Sequence, residues 1–182
     1  MKTRYAVRDA IRSLMADPEY GFRAQFQALA PEYGLTELPA IDWNPGSANF
    51  AQINLAPAEV DKSILREYPA CLLYTSLSAA PGRAVRFNRY SGEIIAHLDF
   101  YRWTGWRVEG EPNLEGEDTE SAADCYEMAV YQVMARRDVP WSTFGVTYDS
   151  NLVVDRSKTI DLFGDGYRQV IPIQLVFAVD ID

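Results

Sequence analysis

The sequence predicts an α+β fold: a mostly antiparallel β-sheet flanked by α-helices, with a long irregular arm. Three observations predict it. Two stretches, 4–30 and 121–137, repeat apolar residues at helical spacing. Two others, 69–104 and 143–181, alternate apolar and polar residues at strand spacing. The strands come in runs instead of alternating one by one with helices, which favours an antiparallel sheet over a parallel one. The 182 residues fit a single domain, 1–182.

The first helix follows from Val7, Ala10, Ile11, Leu14 and Met15, which fall at i, i+3, i+4, i+7 and i+8 and share one face. Asp17-Pro18-Glu19 then reads as a fresh start, with Asp at the N-cap, Pro at the first helical position and an acid in the first turn. Phe22, Phe26 and Leu29 form the second helix's apolar face, and Pro31 with Gly34 ends it. Residues 35–58 are punctuated by Pro39, Pro45, Gly46 and Pro57, yet carry Trp43, Phe50, Ile53 and Leu55. A stretch this long and this apolar is an arm with contacts of its own, and in an oligomer it would lie on a neighbouring subunit.

Glu59–Tyr68 predicts a short helical turn. Ala70–Ser78 is β-prone, 79–82 is a turn, and Val85, Phe87 and Arg89 alternate with polar residues. In 93–104, Ile94, Ala96, Leu98 and Phe100 share one face and Ile95, His97, Asp99 and Tyr101 the other. Together they predict a three-stranded meander. Residues 105–120 read as a loop with six acids, Glu109, Glu111, Glu115, Glu117, Asp118 and Glu120. Ser121-Ala122-Ala123-Asp124 has the form of a capping box. The apolar stripe Ala122, Cys125, Tyr126, Ala129, Val130, Val133 and Met134 makes the third helix, with Arg136 and Arg137 in its last turn. Short strand-like pieces follow at 144–148, 152–155 and 159–162, then a turn at 164–166. The chain closes with an alternating strand bearing Ile171, Ile173, Leu175, Phe177, Val179 and Ile181 on one face. Pro172 inside it predicts an edge position or a bulge.

Composition excludes several classes. The chain has 26 acidic against 17 basic residues, a net charge of −9, the opposite of the basic face a duplex-DNA reader uses. An acidic wall that DNA passes without sticking is compatible with that charge. No apolar run approaches the ~20 residues of a membrane span, and the first residues lack the apolar stretch of a signal peptide. Cys71 and Cys125 sit in apolar contexts and read as two buried thiols, with one disulfide as the alternative.

Catalytic patterns are sparse. His97 is the single histidine, with Asp99 on the same strand face, so any histidine-dependent site must use it. No Gly-x-Ser-x-Gly, phosphate-loop or dinucleotide fingerprint occurs, Gly164-Asp165-Gly166 is a hairpin turn, and the acids of 109–120 lack Ca²⁺-loop spacing. The expectation is a protein without catalytic residues, metal or cofactor. Tyr101, Trp103 and Trp106 cluster beside Arg102 and Arg107, and Trp43, Phe50 and Trp141 lie among turn residues. Such aromatics anchor protein interfaces or stack on bases and sugars, and the acidic charge favours the interface.

This order of elements resembles the tail-terminator proteins of tailed bacteriophages. The residues that carry it are Val-Arg-Asp-Ala-Ile-Arg at 7–12, Glu67-Tyr68-Pro69-Ala70 leading into a strand, the strand 93–104, the helix 121–137 and the strand 167–181. The second helix and the 35–58 arm are larger than the simplest members carry. The resemblance implies a structural virion protein, assembled in the host cytoplasm as a hexameric ring that caps the tail tube. Its partners would be itself, the tail-tube protein and the head–tail connector or neck proteins, with no sequence-specific nucleic acid and no membrane. Glu109, Glu111, Glu115, Glu117, Asp118 and Glu120 would face the lumen or a partner. The alternatives are another neck or head-closure subunit, and a small-molecule or carbohydrate-binding domain using Tyr101, Trp103 and Trp106. An enzyme built on His97 and Asp99 stands behind these.

Overall fold

The computed structural model describes residues 2–36, 38–53, 65–79, 90–108, 111–112, 119–136, 139–154, 159–163 and 166–181. Helix α1 spans Lys2–Met15. Its Val7, Ile11 and Met15 are buried, and Ala10 and Leu14 pack partly against the same core, as the spacing predicts. The predicted helix start at Asp17-Pro18 is not used. Asp17 Oδ1 instead accepts the N–H groups of Glu19 at 2.9 Å and Tyr20 at 2.8 Å, closing a turn. Helix α2, Phe22–Leu29, begins only behind Gly21 and buries Phe22, Phe26 and Leu29. The glycine is dictated by space: a Cβ there would lie 2.3 Å from the Asp17 carbonyl oxygen and 2.6 Å from that of Met15. A 3-10 turn, Ala30–Tyr33, follows, and Gly34 closes it in the left-handed region with φ 70°.

Seven strands make one sheet: β1 Phe50–Gln52, β2 Ala70–Ala79, β3 Tyr90–Val108, β4 Glu111–Pro112, β5 Val146–Val154, β6 Thr159–Phe163 and β7 Gly166–Ile181. The order is β1-β2-β3-β7-β5, with β4 on β3 and β6 on β7. All pairings are antiparallel except β1 with β2. This is the predicted α+β class. Helix α3, Thr119–Met134, begins two residues before the predicted 121 and ends three before 137; every residue of its predicted stripe is buried.

Four expectations change. First, β7 is no edge strand: it pairs with β3 from Trp106↔Gly166 to Tyr90↔Ile181, and with β5 and β6 on its other side. β6 pairs as far as Val170 and β5 from Ile173, so among the described pairings Pro172 falls in the gap between two partners. A residue without an N–H fits there without breaking a ladder. Second, 105–120 is not all loop, because Gly105–Val108 continue β3 and Glu111-Pro112 turn back along Val108 and Arg107. Third, the two pieces predicted at 144–148 and 152–155 join in one bulged strand, β5 Val146–Val154, behind a 3-10 turn at Trp141–Phe144; residue 155 lies outside the described residues. Fourth, the described part of the 35–58 arm folds onto its own domain: Leu35, Trp43 and Phe50 are buried, and Phe50–Gln52 add a parallel strand to the sheet. The predicted turn at 59–68 and strand at 85–89 fall largely or wholly outside the described residues.

Strand alternation sorts the two faces. Cys71 and Leu73 of β2, Ile94 to Phe100 by twos on β3, and Ile171 to Val179 by twos on β7 join the three helices in one core. Phe22 sits at its centre, stacked on Phe100 at 4.9 Å and beside Phe26, Trp43 and Tyr126. On the opposite face a smaller cluster gathers Ala51, Leu65, Ala70, Leu72, Tyr74 and Tyr101. Further along that face Ile95, His97, Gln174 and Val176 are half-buried and Ala178 is exposed. Both cysteines are buried and neither is in a disulfide.

Candidate functional site

His97 lies on the face away from the helices. Cross-strand register puts it opposite Tyr74, whose ring stacks on the imidazole at 4.4 Å and 3°, and opposite Gln174 on the other side. Ser76 Oγ lies 2.9 Å from His97 Nε2. A serine at that distance from an imidazole has the spacing of a nucleophile and its base. The third member of such a site is an orienting carboxylate, and Asp99 serves elsewhere. Its carboxylate takes a hydrogen bond from the Tyr74 hydroxyl and, after burial, is the main cause holding the Tyr74 and Tyr101 hydroxyls above the usual phenol range. Burial likewise raises the Cys71 thiol, with Asp99 adding to it. Burial lowers His97 from the ordinary histidine value. The arrangement is a polar seam in a sheet face: Ser76–His97 stacked on Tyr74–Asp99. Among the described residues, no three or more of His, Cys, Asp and Glu converge as a metal site.

The six aromatic interface candidates separate. Trp43, Phe50, Tyr101 and Trp141 are 6 %, 0 %, 4 % and 8 % exposed, so within the single chain they are core side chains. Trp43 meets the edges of Phe22 and Phe50. Trp141 packs on Phe177 at 5.0 Å. Tyr101 lies under the Arg168 guanidinium at 4.9 Å. Trp103 is half-buried in β3, just before the irregularity between Trp103 and Gly105, with Tyr68 6.2 Å away. The backbone of Trp106 pairs with Gly166, and its side chain lies outside the described residues. Of the acidic set, Glu111 is in β4 and Glu120 is exposed in the first turn of α3. Glu109, Glu115, Glu117 and Asp118 lie outside the described residues.

Trp103 does belong to a concave site, together with residues that periodicity could not gather. Tyr68-Pro69, joined by a cis peptide, lead into β2; Arg102 and Trp103 come from β3, Ala122 and Tyr126 from α3, Phe26 from α2, and Leu38 and Pro39 from the arm. They line a cleft of ≈ 120 Å³. Polar contacts fix its wall: Arg102 Nη1 donates to Gln169 Oε1 at 3.4 Å, and Gln169 Nε2 donates to the Thr119 carbonyl at 2.7 Å. Arg168 Nη1 donates to the Tyr68 hydroxyl at 3.3 Å. Arg168 and Gln169 carry no motif; the β3–β7 register sets them opposite Trp103 and Arg102, and the β2–β3 register brings Tyr68 alongside. Compared with known proteins, the chain matches no family model and no curated protein.

Proposed function

We propose that this chain is a structural subunit of a phage tail, forming with its own copies a hexameric ring that caps the tail tube and meets the head-side connector. The order of elements from which the resemblance was drawn supports the reading. The observation that carries it is the long β3–β7 ladder. β3 has 19 residues, roughly 60 Å of extended chain, whereas the 16 residues of α3 span roughly 24 Å. The helices cover one face of this ladder only: on the other, Ile95, His97, Gln174 and Val176 are half-buried and Ala178 is exposed.

A closed ring of identical copies needs two unlike, complementary surfaces. The sheet ends in two unlike edges: the three-residue β1, and β5, which pairs on one side among the described strands. Open edges of β5's length are commonly covered or paired. Beside β5 runs a groove of ≈ 650 Å³ lined by Tyr131, Met134, Val139, Trp141 and Tyr148 among others. In this reading the acids of 109–120 face the lumen or the neck partner, and the net charge of −9 lets DNA pass without adhering.

Light scattering of the purified chain across a concentration series tests this, alone and with the cognate tail-tube protein. A ring-sized mass in either condition is the expected result. A monomer at every concentration, with and without tube protein, overturns the reading.

A further inference from the structure

Ser76 and His97 come from adjacent strands and meet on the face of the sheet away from the helices. β2 and β3 pair antiparallel with Tyr74 opposite His97 and Ser76 opposite Ile95, so the serine lies diagonally from the imidazole. Ser76 Oγ is 2.9 Å from His97 Nε2, within the reach a base needs to take a hydroxyl proton. The imidazole is held in plane by Tyr74, whose ring stacks on it at 4.4 Å and 3°. Tyr74 is buried, and its hydroxyl donates to the buried Asp99 carboxylate. Asp99 thus does at one remove what the carboxylate of a triad does directly: it fixes the tyrosine, and the tyrosine fixes the imidazole. Burial lowers His97, so at neutral pH the ring is uncharged and has a nitrogen able to accept. Ser76 and His97 are both half-buried, so solvent reaches them in part. Beside them, half-buried Ile95 and Val176 are cross-strand partners and give a short acyl chain an apolar seat.

We propose that Ser76 is a nucleophile, with His97 as its general base, and takes the acyl group of a small activated ester. Nε2 accepts the hydroxyl proton as Oγ attacks the carbonyl carbon. The bond from that carbon to the leaving phenol oxygen breaks, the phenolate departs with the electron pair, and the imidazolium gives its proton up to water. The acyl group stays on Oγ. A water molecule then loses a proton to Nε2 and attacks the acyl carbon; the carboxylic acid leaves, and Oγ takes the proton back. A sheet face does not enclose its substrate, so the acyl donor has to carry a good leaving group of its own.

The probe is p-nitrophenyl acetate on the full folded chain. Nitrophenolate release is followed by absorbance, the reaction is quenched in acid during the first turnover, and acetylated residues are located by peptide mass mapping. Exposed Ser13 and Ser142 report the unassisted rate in the same digest. Ser76 should be acetylated at least about a hundredfold faster than either, the lower end of what a positioned base contributes. His97→Gln, with its circular dichroism spectrum unchanged, should bring Ser76 down to the rate of those two serines. An unlabelled Ser76, a Ser76 labelled no faster than Ser13 and Ser142, or labelling that survives His97→Gln undiminished overturns the proposal. None of these outcomes bears on the native mass, so this inference and the ring stand or fall separately.

Discussion

Trp43 decides whether the arm belongs to its own domain, and truncating it gives a measurable answer. The indole is 6 % exposed and meets Phe22 at 5.9 Å, Phe50 at 5.2 Å and Phe100 at 6.3 Å, all tilted or edge-on. Burying some 150–250 Å² of aromatic surface is worth about 4–6 kcal/mol at ~25 cal/mol per Å². Truncation of a buried Trp costs about 3–5 kcal/mol in practice. Trp43→Ala should therefore lose about 4 kcal/mol, a large share of a typical domain stability of about 5–15 kcal/mol. With a urea slope near 2 kcal/mol per M, the midpoint falls by about 2 M. The assay is urea unfolding by circular dichroism at two protein concentrations about a hundredfold apart. A core tryptophan gives the same loss at both. A tryptophan seated on a neighbouring subunit gives a loss that grows with concentration and is near zero for the dilute chain. A loss under about 1 kcal/mol in the dilute sample would refute the reasoning. Trp43→Phe, which keeps one ring in place, should lose distinctly less and guards against an alanine variant that fails to fold.

Three further perturbations test other parts of the fold. Gly21→Ala forces a Cβ against two backbone carbonyls and should cost about 1–3 kcal/mol in denaturant unfolding; an unchanged midpoint would show that the turn has slack. His97 is held below its ordinary range by burial, so the unfolded chain takes up the proton first. Its stability contribution is full above the ordinary histidine value near 6.5 and is lost as pH falls through the window below that. His97→Gln should flatten the stability–pH curve in that window, and a slope identical to that of the unaltered chain would place the pH dependence elsewhere. Deleting 167–182 removes the strand that joins β3 to β5 and β6, with five buried apolar side chains from Ile171 to Val179, and should abolish soluble folded protein; a soluble truncation with a cooperative unfolding transition would contradict the topology.

Local periodicity was readable wherever one face met the core. The stripes of α1, α2 and α3, and the alternation of β3 and β7, follow from burial on a single side, so their apolar faces and approximate limits were legible. Register was not. Pro172 suggests an edge when β7 is considered alone, and only the gap between β5 and β6 explains a proline in a central strand. Asp17-Pro18 has the residues of a helix start, yet the same carboxylate closes a turn equally well, and Gly21 is the residue that delays α2. The tryptophans misled for a related reason. Turn residues around Trp43 and Trp141 suggest surface, but an irregular segment can drive one large ring into a core made by other elements. The cleft was half legible: Arg102 and Trp103 stood out, while Tyr68, Pro69, Phe26 and Tyr126 reach it only through tertiary packing.

Under the proposed ring, placing four aromatics in the core also moves the surface on which copies would meet. The large apolar side chains that remain well exposed among the described residues are Tyr5, Tyr20, Met128 and Tyr131, at 58 %, 49 %, 40 % and 47 %. Tyr5 carries Arg8 over its ring and Tyr20 carries Arg136, which leaves them partly committed within the chain. Met128 and Tyr131 are three residues apart on α3, hence on one face, and Tyr131 also lines the groove beside β5. A patch continuous from a helix face to a sheet edge is what one side of a head-to-tail contact requires. The double variant Met128→Asp/Tyr131→Asp tests it. Both positions are exposed, so the unfolding midpoint should move by no more than about 0.5 kcal/mol per site. Two carboxylates buried against a neighbour would be far more costly, because a buried charge without a partner loses its hydration. If copies meet here, the variant stays monomeric under conditions where the unaltered chain forms a ring. A variant that assembles with undiminished affinity excludes this face and leaves the β1 end, with its groove around Phe50 and exposed Arg66, as the surface to alter next.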